Sequence, residues 1–176
     1  MHKTTSTILV KQYFSPCGNM AIGSYADKIC LCNWLEEKHP GRIDRRLCHS
    51  LNAEYKEGST SVIEEAIRQL DEYFEGKRKI FDLPLLLTGT EFQKQVWNAL
   101  LEIPFGETAT YGTLAGLISK PKAVRAVANA NGANAISIII PCHRIIGSGN
   151  NLTGYGGGLK AKKFLLELEA RHSHRR

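Results

Sequence analysis

No window of this chain approaches the roughly 18 consecutive apolar residues of a membrane span. The opening Met1-His2-Lys3-Thr4-Thr5-Ser6 also lacks the apolar core of an export signal. Membrane insertion and export are therefore not expected, and a cytoplasmic location is. Internal repeats and low-complexity tracts are absent, which excludes solenoids and arrays. Cysteine follows no disulfide pattern: Cys17, Cys30, Cys32, Cys48 and Cys142 form an odd, scattered set of five, as in a chain of reduced thiols. Cys30, Cys32, Cys48 and His49 suggest a metal site only loosely. A Cys-X-Cys pair with a distant Cys-His is not a standard zinc spacing, so no metal is expected. The most informative scarcity is of negative charge. Between Thr108 and Leu166 there is no Asp or Glu, against seven basic residues: Lys120, Lys122, Arg125, Arg144, Lys160, Lys162 and Lys163.

That gap makes the charge one-sided. Residues 1–85 carry 12 Lys/Arg and 12 Asp/Glu, whereas residues 86–176 carry 11 and 5, so the second half supplies the whole net charge of +6. A basic segment of this kind is an electrostatic footprint for a polyanion; a solvated basic face is the alternative. The length of 176 residues, 43% hydrophobic, suits one medium domain or two small ones.

The first half reads as α/β. Thr7–Tyr13, Met20–Tyr25 and Lys28–Trp34 alternate or run apolar, separated by Ser15-Pro16-Cys17-Gly18 and Ala26-Asp27, and predict a three-stranded antiparallel meander. A helix is expected over Ser61–Glu75, with Val62, Ala66, Ile67, Leu70 and Phe74 inward and Gly76 as its stop. Ile80 to Gly89, with Pro84 inside it, links to a different composition. The boundary falls there, giving domains 1–85 and 86–176.

The second half reads as mostly helical. Thr90-Glu91-Phe92-Gln93 is a capping box, and its helix turns Phe92, Val96, Leu100 and Trp97 inward. Two short helices follow, Tyr111–Ile118 and Pro121–Asn131, in a helix-turn-helix pattern. On the second, Val124, Val127, Ala128 and Asn131 recur at helical spacing and are expected to face the core. Lys122, Arg125, Ala126 and Asn129 then occupy the outer face. One arginine rising among alanines suits close approach to a nucleic-acid groove, and helices packed with no nucleic-acid role are the alternative.

The run Ile136-Ser137-Ile138-Ile139-Ile140-Pro141-Cys142-His143-Arg144 reads as a buried strand, Ser137 to Ile140, ended by a proline. Cys142 then sits at a strand end, where a rigid element can aim a thiol at a pocket. The cationic neighbours His143 and Arg144 are expected to favour its thiolate. A small buried hydrophobe is the alternative.

Pro141-Cys142-His143-Arg144 followed by Gly154-Tyr155-Gly156-Gly157-Gly158 resembles the active-site signature of the O6-alkylguanine-DNA alkyltransferases, the methylated-DNA–protein-cysteine methyltransferases. Four further stretches match in order. They are Thr110-Tyr111-Gly112-Thr113-Leu114-Ala115, Lys122-Ala123-Val124-Arg125-Ala126-Val127, Asn131-Gly132-Ala133-Asn134, and Lys162-Lys163-Phe164-Leu165-Leu166 leading to Glu169. The likeness is dense from Thr90 to Glu169 and limited before that to the strands, the Ser15-Pro16-X-Gly18 turn and a helix.

The resemblance implies a ribonuclease H-like first domain and a winged-helix-like second one. It implies Cys142 as the nucleophile that takes an alkyl group from guanine O6, once and irreversibly. It implies His143 as the base, acting through water and held by Glu169. Tyr111 would donate to the departing guanine and Asn134 would brace the turn before the active-site segment. Carbonyls of Cys142 and Ile145 would accept from the guanine amine, while Tyr155, Gly156 and Gly157 would wall the pocket. Arg125 would fill the stack left by the flipped base, with Lys122, Ala126, Asn129 and the small Ala130 along a minor groove. The implied partner is double-stranded DNA containing O6-alkylguanine, with O4-methylthymine a possible second lesion. The implied protein is a monomer with no cofactor. Two positions depart from the pattern: Cys17 replaces a more usual aliphatic residue, and Gly156 a small hydroxyl residue. A non-catalytic DNA binder lacks such a cysteine, and a cysteine hydrolase would leave Arg125 and the charge asymmetry unexplained.

Overall fold

The computed structural model describes residues 4–149 and 151–173. β1 (Ser6–Ser15), β2 (Gly18–Tyr25) and β3 (Lys28–Trp34) form the antiparallel meander that the alternation predicts. Ser15 closes the first turn by donating its hydroxyl to the Gly18 carbonyl at 2.5 Å. Two elements were not foreseen. Helix α1 (Arg42–Leu51) leads into β4 (Ala53–Glu57), which pairs parallel to β1 and makes a fourth strand, in the order β3-β2-β1-β4. Helix α1 does carry a short helical period, Ile43, Leu47 and Leu51 within a mostly charged stretch, whereas β4 buries only Ala53 and shows no alternation.

Helix α2 (Ser61–Phe74) starts at Thr60, whose hydroxyl accepts from the Ile63 amide, and is stopped by Gly76 at φ 76°. Its buried face carries Ile63, Ala66, Leu70 and Tyr73, so the expected Val62, Ile67 and Phe74 lie at its margin. The linker does not leave the sheet. The Ile29 amide donates to the Pro84 carbonyl at 2.9 Å and the Leu86 amide to the Ile29 carbonyl at 2.8 Å, which covers part of the outer edge of β3.

Beyond it come α3 (Glu91–Leu100), the two-residue strands β5 (Ala109–Thr110) and β6 (Ile145–Ile146), and the helix-turn-helix pair α4 (Tyr111–Leu117) and α5 (Val124–Gly132). Helix α5 begins three residues later than expected, because the Ala123 amide bonds the Lys120 carbonyl and makes residues 120–123 a turn. Val124, now the first helical residue, is 39% exposed instead of inward. Ala130 is buried, its carbonyl accepting from the Trp97 indole at 2.9 Å, so it does not belong to the outer face. Helix α6 (Leu159–Ser173) closes the chain. It includes Arg171 to Ser173, and His172 packs against Gly76. His174, Arg175 and Arg176 lie outside the described residues. One continuous apolar core runs through both halves, and no described helix is long and apolar enough to cross a membrane.

The capping box at α3 is complete, with Thr90 Oγ1 accepting from the Gln93 amide and Gln93 Oε1 accepting from the Thr90 amide. Thr90→Ala removes the side chain that satisfies an orphan amide. Urea unfolding should show a loss of about 1 kcal/mol, and Thr90→Ser should keep most of it.

Candidate active site

The site is built from the free edge of β3. The Cys32 amide donates to the Ala135 carbonyl at 2.8 Å, and the Ser137 amide donates to the Cys32 carbonyl at 2.7 Å. Ser137 to Ile140 is then not a strand. The chain reverses through a γ-turn centred on Ile138, with the Ile139 amide bonding the Ser137 carbonyl at 2.8 Å and Ile138 at φ 71°. A second γ-turn, of the inverse kind, is centred on Pro141 (φ −82°, ψ 61°), and the Cys142 amide bonds the Ile140 carbonyl at 2.8 Å. A β-branched residue in the left-handed region carries strain of roughly 1–3 kcal/mol. Asn134 helps to hold it: its Oδ1 accepts from the Ile136 amide at 2.9 Å and its Nδ2 donates to the Ile140 carbonyl at 3.0 Å. The sequence misleads here because a buried apolar run looks the same whether it lies in a sheet or is threaded through a core.

Cys142 opens a short 3₁₀ turn, Cys142–Arg144, in which all three side chains are buried. With about three residues per turn, successive side chains diverge, and His143 turns its Nε2 into a charged cluster. Its Nε2 lies 3.2 and 3.1 Å from the two carboxylate oxygens of Glu169, on α6. Arg144 binds the same carboxylate, Nε at 2.8 Å and Nη2 at 2.5 Å from Oε1, and donates Nη1 to the Ile103 carbonyl at 2.6 Å. Burial holds His143 below its ordinary pKa, outweighing the upward pull of Glu169. Burial works against the Glu169 carboxylate too, but the hydrogen bonds and charge of His143 and Arg144 win and hold it below the usual range. His143 is therefore neutral at pH 7. A carboxylate only accepts, so the ring proton sits on Nε2. Nδ1 is buried with no hydrogen-bond partner among the described residues, and its lone pair is free to take a proton.

The thiol is 5% exposed, and burial pushes its pKa up against the pull of Asn134, Lys162 and Ser137. This corrects the expectation that His143 and Arg144 favour the thiolate: one is neutral and the other is committed to Glu169. The cation acting on the thiol is Lys162, which the sequence reading held only as one of seven basic residues and as part of a motif. It is fully buried, and its Nζ donates to the carbonyls of Ile145 and Thr153 at 2.5 and 2.8 Å. Its spacing of seven from Glu169, which puts both on one face of a helix, was the available signal.

A cavity of about 240 Å³ opens at Cys142. From the second half it is lined by Tyr111, Asn129, Asn134, Ser137, Tyr155 and Gly156. The Tyr111 hydroxyl lies 3.3 Å from Thr153 Oγ1. Ile145 is buried behind the cavity, its carbonyl already accepting from Lys162, and Gly157 faces the indole of Trp34 instead. Lys122, Arg125 and Ala126 are exposed on or just before α5, outside the cavity, with Asn129 between them and its rim. The first half contributes Asn33, Glu37, Lys38, His39, Arg42 and Ile43, none of which any motif marks. Burial pushes the thiols of Cys30 and Cys32 up to about 12, and no three His, Cys, Asp or Glu among the described residues converge as a metal would need.

Comparison with known proteins accounts for both halves. Residues 8–87 match the 6-O-methylguanine DNA methyltransferase, ribonuclease-like domain, and residues 91–171 match the DNA binding domain of the same family. The chain belongs to the 6-O-methylguanine DNA methyltransferase family. A methylated-DNA–protein-cysteine methyltransferase of Methanosarcina acetivorans is 61% identical over 105 residues, 60% of this methyltransferase-family chain and 67% of that protein. The one from Mycolicibacterium paratuberculosis is 56% identical over 108 residues, 61% of this chain and 66% of its own length. The aligned stretch thus spans about two thirds of these relatives. Among solved structures, a Mycobacterium tuberculosis OGT in complex with DNA is 38% identical and superposes with a TM-score of 0.80 over 94% of each chain.

The titrations set a pH dependence. A histidine whose pKa is depressed by folding contributes fully above its ordinary value near 6.5, and the contribution is lost as pH falls below it. Glu169, held below its ordinary value near 4.5, adds stability above that value, which is lost as pH falls through its lower folded value. The urea midpoint should fall in two stages on acidification, and His143→Gln should lack the first. Glu169→Gln leaves Arg144 buried without its counter-charge and should destabilise by about 3–5 kcal/mol at pH 7.

Proposed function

We propose that this chain repairs duplex DNA by transferring the alkyl group of O6-alkylguanine, with methyl the type case, irreversibly to Cys142. The observation that carries the reading is a thiol at the head of a cavity, with a neutral histidine beside it whose free Nδ1 is backed by a buried carboxylate. Family membership gives that arrangement its substrate class.

In the step itself the Cys142 thiol proton passes through a bridging water to His143 Nδ1. Glu169 stabilises the imidazolium that results. Sγ attacks the alkyl carbon, an S–C bond forms as the C–O6 bond breaks, and the electron pair leaves with guanine. Tyr111 at the cavity wall donates to the leaving base as its negative charge develops. Burial keeps the resting thiol protonated, so the base is needed at the moment of attack. Lys162 adds a fixed positive charge that favours the thiolate as it forms. The product thioether is not a leaving group for water, so each chain acts once. The step calls on no second subunit and no cofactor.

The duplex must deliver the lesion extrahelically, because O6 is otherwise stacked and paired. Lys122, Arg125, Ala126 and Asn129 form the exposed face that would meet DNA, with Arg125 filling the vacated stack. The break between residues 87 and 91 in the family matches supports a division into domains 1–85 and 86–176. Five free cysteines support a reducing, cytoplasmic setting.

A duplex carrying one labelled O6-methylguanine should transfer its label to protein, saturating at one equivalent per chain, and Cys142→Ser should take none. Multiple turnovers, or undiminished transfer in that variant, would overturn the mechanism. Arg125→Ala should slow repair of the duplex far more than reaction with free O6-benzylguanine, measured as single-turnover rates. Equal losses would remove the stack-filling role.

A further inference from the structure

Part of the wall of the cavity at Cys142 belongs to the first half. It consists of Asn33 at the end of β3, Glu37, Lys38 and His39 in the connection to α1, and Arg42 and Ile43 at the start of that helix. None of these residues is needed to activate the thiol. Their position in the cavity wall bears instead on what can occupy it.

The first half meets the site in two mechanically different ways. Trp34 is locked. It is 4% exposed and lies edge-on to Tyr155 with ring centroids 5.9 Å apart. A Cβ on Gly157 would come within 2.5 Å of its indole. The glycine-rich loop therefore rests on an indole that cannot yield. The connection 35–41 is different. Leu35, Glu36, Lys38, His39 and Pro40 are all exposed, so apolar burial does not hold them.

The Leu35 amide donates to the Asn19 carbonyl at 2.9 Å and the Arg42 amide to the His39 carbonyl at 3.3 Å, and the side chain that spans the connection is Glu37. One carboxylate oxygen accepts from Asn33 Nδ2 at 2.5 Å and the other from the Gly41 amide at 3.0 Å. A single side chain thus ties the end of β3 to the residue before α1, across the whole connection. Gly41 sits at φ 78°, a conformation that turns its amide toward that carboxylate without strain.

We propose that residues 35–41, latched by Glu37, set the largest alkyl group that Cys142 accepts. The proposal rests on the alkyl-transfer reading above. A methyl group lies within contact of Sγ and the departing oxygen and needs no further room. A longer or aromatic group must extend along the cavity, and its far end meets this wall. Loosening the latch frees the wall while Asn134, His143, Glu169 and Lys162 keep all their own partners.

The test uses the full chain and two duplexes, one carrying O6-methylguanine and the other O6-benzylguanine, with single-turnover rates measured for each. Glu37→Ala should raise the benzyl-to-methyl rate ratio by about ten-fold or more, the scale on which one pocket contact discriminates. Lys38→Gly combined with His39→Gly shortens the wall with the latch intact and should raise the ratio in the same direction, so misfolding of one variant does not remove the test. A ratio unchanged in a folded variant overturns the wall assignment. Wild-type protein that transfers neither group overturns the alkyl-transfer reading itself, and one that transfers methyl while both variants keep the wild-type ratio overturns only the wall.

Discussion

The outer edge of β3 is an unpaired row of amides and carbonyls, and the rest of the molecule is arranged around satisfying it. An exposed edge invites association, and a buried one needs partners. Two other stretches supply them: the linker at Pro84 and Leu86 opposite Ile29, and, from the second half, Ala135 and Ser137 opposite Cys32. The second pairing fixes the chain five residues before Cys142. From that anchor the two γ-turns leave little freedom, and the strained Ile138 is held because Ser137 on one side and Ile140 on the other are each hydrogen-bonded. The position of the nucleophile is thus set by a sheet to which it does not belong. This also explains why Cys32 is inert: the docking that buries it removes both solvent and any reason for its thiol to ionise.

Around that anchor the charges divide by what each must do. Glu169 neutralises Arg144 through several hydrogen bonds, and the pair ties α6 to the turn that carries Cys142. The remaining influence of that carboxylate falls on His143, where it fixes the proton on Nε2 without charging the ring. A permanently protonated imidazole could not accept the thiol proton, so burial, which keeps the ring neutral, is what makes it a base. Lys162 takes the opposite part. Its partners are carbonyls rather than a carboxylate, so its field is not cancelled locally and reaches the thiol. Arg144 and Lys162 are both buried cations near one cysteine, and only the second acts on it.

How much of this the sequence disclosed follows from which signals are local. The meander, the α3 capping box and the Gly76 stop depend on neighbours in the chain and were legible. The helix-turn-helix was legible too, although its second helix starts later because a turn at Lys120 to Ala123 took the place of its first residues. Elements whose reason for existing is tertiary were not legible. Helix α1 shows only the short stripe Ile43, Leu47 and Leu51 among charges and β4 no pattern at all, and both are completed by Ile43, Leu47 and Ala53 joining a core begun elsewhere. The stretch Ser137 to Ile140 was legible as buried and misread as a strand, since burial does not reveal hydrogen-bond pattern. At the site, Cys142 could be named from its setting and His143 and Glu169 from the family resemblance, but the electrostatics could not. Whether a neighbouring cation helps a thiol depends on whether something else has already neutralised it.

The same distinction separates the two sides of the cavity. A residue that moves a proton or receives a group must place one atom within a few tenths of an ångström, so its identity and spacing carry information. A wall must only occupy space, and many sequences do that equally well. Residues 35–41 therefore bear no motif, although Glu37, Lys38 and His39 line the same cavity as the reacting cysteine. The side chain among them with a specific task is Glu37, a carboxylate held between two donors, whereas Lys38 and His39 only occupy space. Chemistry held by the second half and clearance held by the first can then change independently, one through atoms that must meet and the other through atoms that must keep apart.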